Sequence, residues 1–115
     1  MEKILKYLNE LSISKFMQIG TILEVNDFPE ARNPAYQIHI DFGDEIGVKK
    51  TSAQITQKYN IEELIGKQIV AIVNFPKKQI GNFMSECLLL GSIGKSKEVV
   101  LLSSDKPVEN GLRVG

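Results

Sequence analysis

The side chains with most chemistry to offer are concentrated in one run, NFPKKQIGNFMSE, residues 74–86, set between two apolar stretches. Asn74 can donate and accept at once, so it could read a base edge or tie the loop to its scaffold. Lys77 and Lys78 could meet phosphates, while Phe83 and Met84 offer a soft surface to a base or an apolar side chain. Gln79 and Ser85 add hydrogen-bonding capacity, and Pro76 and Gly81 shape an ordered loop. The structural alternative is equally open for each residue, and stronger for Phe83: Asn74 holds the loop, and Phe83 and Met84 are core or subunit contacts. A second polar segment, GVKKTSAQIT, residues 47–56, carries Lys49 and Lys50. On a strand these two point to opposite faces, so at most one joins a given groove. Thr51, Ser52 and Gln54 either add polar contacts or merely connect two elements, and Arg32 belongs to a loop that shapes the rim of a groove.

The rest of the chain narrows the chemistry. Cys87 is the single cysteine, which excludes an internal disulfide and a cysteine-rich metal cluster, and its apolar surroundings in SECLLLG suggest a buried, inert thiol. His39 is the only histidine, so no histidine-rich metal site is expected. There is no GxSxG, no phosphate-cradling glycine loop and no HExxH, and Glu62-Glu63 diverge on a helix. An enzyme is therefore the weakest class, with neither metal nor cofactor expected. The charge is balanced, 14 basic against 14 acidic residues. Phosphate binding usually demands a basic excess, and here only Lys49-Lys50, Lys77-Lys78 and Lys95/Lys97 supply local concentrations. No apolar run is long enough to insert into a membrane, and the first residues lack a small-residue cleavage site, so the cytoplasm is the expected location.

The elements that must position these groups follow from periodicity. Ile4, Leu5, Leu8 and Leu11 share one helical face, which predicts an amphipathic helix within residues 1–14 ahead of a domain over 15–115. Residues 16–25 alternate, with Met17, Ile19, Leu23 and Val25 on one side and Gly20 marking a bend or bulge. Tyr36, Ile38, Ile40 and Phe42 give the cleanest period-two signal, and Gly43-Asp44-Glu45 turns the chain into a return strand. Asn60 caps a short helix ending at Gly66, whose Glu62 and Glu63 suit its positive end. Residues 67–75, β-branched and apolar on both faces, read as a central strand. Strands over 83–90 and 98–102 follow, and Leu112 and Val114 could pack back on the body. In this length, that order is all-β with short helices, a five-stranded OB-fold barrel with a helix between its third and fourth strands.

The segments FPEARNPAYQIHIDFG, GVKKTSAQIT, EELIGKQIVAIVNFP, QIGNFMSE and VVLLSSDKPVENG together resemble the CsaA-type proteins of the tRNA-binding-domain family, from Gly20 to Gly111. Asn74, Pro76, Lys78, Gly81, Ser85 and Glu86 match the family's recognisable core. The resemblance implies an OB-fold homodimer without catalytic activity, a chaperone for unfolded preproteins awaiting export, on a scaffold that in the parent family binds tRNA. Synthetase-type members are markedly basic and this chain is neutral, so the ligand stays open between unfolded protein and structured RNA. Spare apolar surface on a small barrel independently favours a two-fold dimer.

Overall fold

The computed structural model describes residues 17–74 and 77–115; the expected helix within residues 1–14 and the loop-shaping Pro76 lie outside them. In chain order the elements are β1 (Met17–Asp27), β2 (Tyr36–Asp41), β3 (Val48–Ala53), α1 (Ile61–Leu64), β4 (Gln68–Ile72), β5 (Lys78–Ile80), β6 (Phe83–Ser85), β7 (Leu88–Leu89), β8 (Gly91–Ile93) and β9 (Val99–Leu101). Five strands form one antiparallel sheet in the order β3-β2-β1-β4-β7, and the hairpins β5-β6 and β8-β9 are added to it. Curled on itself, this sheet is the expected five-stranded OB-type barrel, nearly closed.

The long strand β1 makes the curl possible. Its first half, Met17 to Thr21, pairs with β4, and from Thr21 onward it pairs with β2. The register shifts between Ile22 and Glu24, so the β-bulge falls at Leu23 rather than at Gly20. Simple alternation places Leu23 toward the core; the bulge turns it out to 49 % exposure and leaves Ile22, at 1 %, inside. Gly20 has a different task. A Cβ there would stand 2.6 Å from Ile40 Cγ2 and 2.7 Å from Phe42 Cδ1, so its missing side chain is space that β2 fills.

Tyr36, Ile38, Ile40 and Phe42 all point inward as expected, joining Ile22, Leu64, Ile69 and Ala71 in the main core. The hairpin turn spans Asp44–Ile46 between Gly43 and Gly47, and the return strand starts two residues later than its sequence pattern suggests. α1 has the expected cap: Asn60 Oδ1 accepts from Glu63 N–H at 2.9 Å, and Glu63 Oε1 accepts from Asn60 N–H at 2.7 Å. β4 is covered on both faces. Ile69 and Ala71 enter the main core, while Val70 and Ile72 join Ile19 and Leu90 in a second cluster that Val114 also packs against. The tail docks along β1 through Ile19 N–H to Leu112 O at 2.9 Å and Val114 N–H to Met17 O at 2.8 Å.

Residues 83–90 do not form one strand. Their first part pairs with β5, Ser85 to Cys87 cross onto β3, and only Leu88-Leu89 ladder with β4. Residues 98–102 likewise pair locally, as β9 with β8. Among the described residues, no helix is long and apolar enough to cross a membrane, and no three His, Cys, Asp or Glu side chains gather as a metal site.

Candidate ligand-binding face

The expected loop 74–86 is largely an ordered hairpin. Lys78↔Ser85, Gln79↔Met84 and Ile80↔Phe83 are its cross-strand pairs, and Gly81, at φ 59°, turns it. Its root is tied to β3 by a relay of hydroxyls. Ser52 N–H donates to Ser85 Oγ at 3.0 Å, the Ser85 and Thr51 hydroxyls meet at 2.9 Å, and Thr51 Oγ1–H donates to Cys87 O at 2.7 Å. Glu86 adds a reciprocal pair: its N–H donates to Lys50 O at 2.8 Å, and its Oε1 accepts from Lys50 N–H at 3.1 Å. β3 and β7 share no ladder, so these bonds are what bring the two ends of the sheet together. The Ser-Glu step is thus a barrel clasp.

The hairpin is also braced from the opposite side. Phe83 packs on Phe28 with ring centroids 5.5 Å apart, and Ala31, Ala35 and Ile80 complete a small cluster linking the β1-β2 loop to the hairpin. Both rings are buried. Lys50 then lies over Phe83, with Nζ 5.0 Å from the ring centroid. Lys50 stands opposite His39 in the ladder, Ser52 opposite Gln37, and His39 opposite Glu24. The half-buried Gln37, His39, Lys50 and Ser52 alternate with the inward residues of β2 and β3, so with exposed Glu24 of β1 they form the outer face of the sheet beside the hairpin. His39 Nδ1 is 3.2 Å from Glu24 Oε2 but is too poorly aligned to hydrogen-bond with it.

The sequence-derived site residues are only partly brought together. Lys50 lies on this outer face, whereas Lys49, opposite Ile40, lies on the Thr51 side of the strand. Lys77 and Lys78 are exposed on the rim, with Lys77 Nζ 3.9 Å from Glu86 Oε2, a weak exposed pair. Gln79 is exposed and donates to Gly81 O at 3.0 Å, bracing its own turn. Met84 is half-buried, and Ser85 is engaged in the clasp. Asn74 Oδ1 is shut away from solvent and has no hydrogen-bond partner among the described residues, so that oxygen does not face a ligand in this geometry. Gln37 is the residue that sequence reasoning misses. Its signal is the polar half of the β2 alternation, which acquires meaning once the register sets it against Ser52.

Between β3 and the hairpin runs a groove of about 290 Å³ along the unladdered seam, whose lining mixes the polar Ser52, Gln54 and Lys78 with the apolar Ile80, Leu89 and Val99. Cys87 also lines it. Burial is the main cause that pushes this thiol up to about 12, with Glu86 adding to the shift and Lys49 and the Thr51 hydroxyl opposing it. Cys87 therefore stays protonated and chemically quiet at neutral pH. Tyr36 is raised too, first by burial and then by Asp27, Glu62 and Glu63, and its hydroxyl donates to Tyr59 O at 2.8 Å.

The polar outer face of this small OB-type barrel lies on β2 and β3 beside the β5-β6 hairpin, with lysines at its rim. Residues 17–113 match the tRNA binding domain family model, and the chain belongs to that family. Among curated relatives, it is 39 % identical over 98 residues to the methionine-tRNA ligase of Nanoarchaeum equitans and 36 % identical to that of Thermococcus kodakarensis. Each alignment covers 85 % of this chain, which spans only 12 % and 13 % of those relatives' lengths. Two solved structures are similar over nearly their whole length. The chaperone CsaA from Bacillus anthracis is 45 % identical with a TM-score of 0.85, covering 95 % of this chain and 96 % of that one. The CsaA chaperone protein from Picrophilus torridus is 50 % identical with a TM-score of 0.81, covering 93 % and 96 %.

Proposed function

We propose that this protein is a non-enzymatic, cytoplasmic binding module, working as a homodimer, whose outer barrel face takes structured RNA of the tRNA class. The observation that carries the reading is the placement of its cations: Lys50 stands on β3 opposite His39 in the row with Ser52, and Lys78 opens the hairpin that Ser85 clasps to β3. A backbone fixed in advance lowers the ordering cost of bringing such lysines to phosphates. Phe28, Tyr36, Phe42 and Phe83 are buried and Tyr59 is half-buried, so among the described residues this face offers polar and ionic contacts rather than base stacking. That chemistry suits the backbone and 2′-hydroxyls of a folded RNA. Membership of a tRNA-binding family supports the same ligand.

The test is tRNA binding titrated with salt. Affinity should fall steeply as salt rises, and Lys50→Ala or Lys78→Ala should make the log-log slope shallower by about 1 for each phosphate no longer neutralised. No complex at low salt would overturn the reading. A second reading, holding unfolded preproteins for export, is favoured by the apolar residues lining the β3-hairpin groove, by the neutral net charge and by the similarity to CsaA chaperones. It requires suppression of aggregation of a denatured client that persists at high salt, where RNA binding is abolished.

A further inference from the structure

The β8-β9 turn holds Lys97 at φ 64°, the one non-glycine residue with positive φ among the described residues. The conformation is enforced from three sides. Lys97 N–H donates to Gly94 O at 3.0 Å, Gly94 N–H to Glu98 O at 2.8 Å, and Ser96 N–H to Glu98 Oε2 at 2.9 Å. Glycine or asparagine would occupy this position with less strain. What lysine adds is its ammonium group, and over-determined backbone of this kind clusters at binding sites.

Lys97 and Ser96 form one wall of a second groove of about 290 Å³, which the β1-β2 loop closes with Asn33 and the exit of β3 with Gln54, Thr56 and Gln57. Every one of these side chains is a hydrogen-bond donor. Arg32, Lys58 and Lys95, neighbours in sequence of Asn33, Gln57 and Ser96, are exposed around it. The acidic residues on the same segments are Glu30 and Glu98, and the Glu98 carboxylate is turned back onto the Ser96 amide. Asp27, Glu62 and Glu63 stand at the same end, close enough to act on Tyr36, so that end is mixed in charge and the basic excess is confined to the β8-β9 turn, where Lys95 and Lys97 face only Glu98. Gln54 lines both this groove and the one beside Lys78, so the two are adjacent.

We propose that this groove is a second contact for the sugar-phosphate backbone of a folded RNA, extending the outer face around the end of the barrel. The proposal rests on the RNA reading above. Lys97 and Lys95 meet phosphates, and Asn33, Gln54 and Gln57 reach 2′-hydroxyls. A footprint wrapping two sides of the barrel favours a rigid folded RNA over a flexible single strand.

The experiment compares wild type, Lys97→Gly, Lys95→Ala/Lys97→Gly and Lys106→Ala in salt-titrated binding of unfractionated tRNA, with thermal melts alongside. Lys106 borders a different cavity, beside Thr21 and Gln68, and controls for net charge. The expected result is a slope shallower by about 1 for Lys97→Gly and about 2 for the double variant, with an unchanged slope for Lys106→Ala. Relief of backbone strain should leave the Lys97→Gly melting temperature equal or higher, which separates a ligand role from a structural one. Wild-type slopes in both turn variants, while Lys50→Ala still lowers the slope, would overturn this proposal alone. Absence of any tRNA complex would overturn it together with the RNA reading.

Discussion

Thr51 shows how a single side chain can decide what its neighbours are able to do. Only 1 % exposed, it donates to the Cys87 carbonyl and meets the Ser85 hydroxyl, so that hydroxyl is committed to closing the barrel. The fate of the cysteine is measurable. Its thiol is pushed from an ordinary 9.0 to about 12, so the fold favours the neutral form. The stabilisation is fully present below pH 9.0 and is lost as pH rises toward about 12. Alkylation of the folded protein at pH 8 should therefore be slow and become rapid on denaturation, and the decline of stability above pH 9 should flatten in Cys87→Ala. Rapid stoichiometric labelling of the folded protein would contradict this. The inertness of Cys87 is legible from the apolar run around it. The commitment of Ser85 is not, because its partners are more than thirty residues away.

At the scale of elements, β1 carries the clearest lesson. Period-two reading finds the strand but misassigns its faces, since one extra residue at Leu23 inverts everything after it. Gly20 sits before the bulge, against Ile40 and Phe42. Gly20→Ala should overpack that contact and cost about 1–3 kcal/mol, read as a lower denaturation midpoint with an unchanged m-value. A neutral effect would mean that β2 yields more readily than its full burial suggests. The α1 cap is legible because its donors and acceptors lie three residues apart. The β5-β6 hairpin reads as a loop in the sequence: three-residue strands are too short to display a period, and their stability comes from Phe28 and β3.

Taken as a whole, the molecule is a barrel held shut by side chains and wrapped by its own tail. Gly111 N–H donates to Ile19 O at 2.7 Å, Gln18 Nε2 to Gly111 O at 3.0 Å, and Leu112 and Val114 pair with β1, while Val114 adds to the outer cluster. Deleting residues 111–115 removes four such bonds, each worth about 0.5–1.5 kcal/mol net. The melting temperature should drop by roughly 10 °C or more, at about 4–8 °C per kcal/mol. A melt unchanged within 2–3 °C, on the order of half a kcal/mol, would show that the tail is a passenger. Alternation, capping and turn chemistry act between residues a few positions apart, so the chain order of the elements, the barrel class, the inward row of β2 and the candidate segments 47–56 and 74–86 could all be read from the primary structure. Which lysine faces outward, which hydroxyls are consumed in closing the barrel, and which three loops meet around Lys97 depend on register and on contacts across the whole chain. Local pattern carries no information about such pairings until the sheet has curled and brought its ends together.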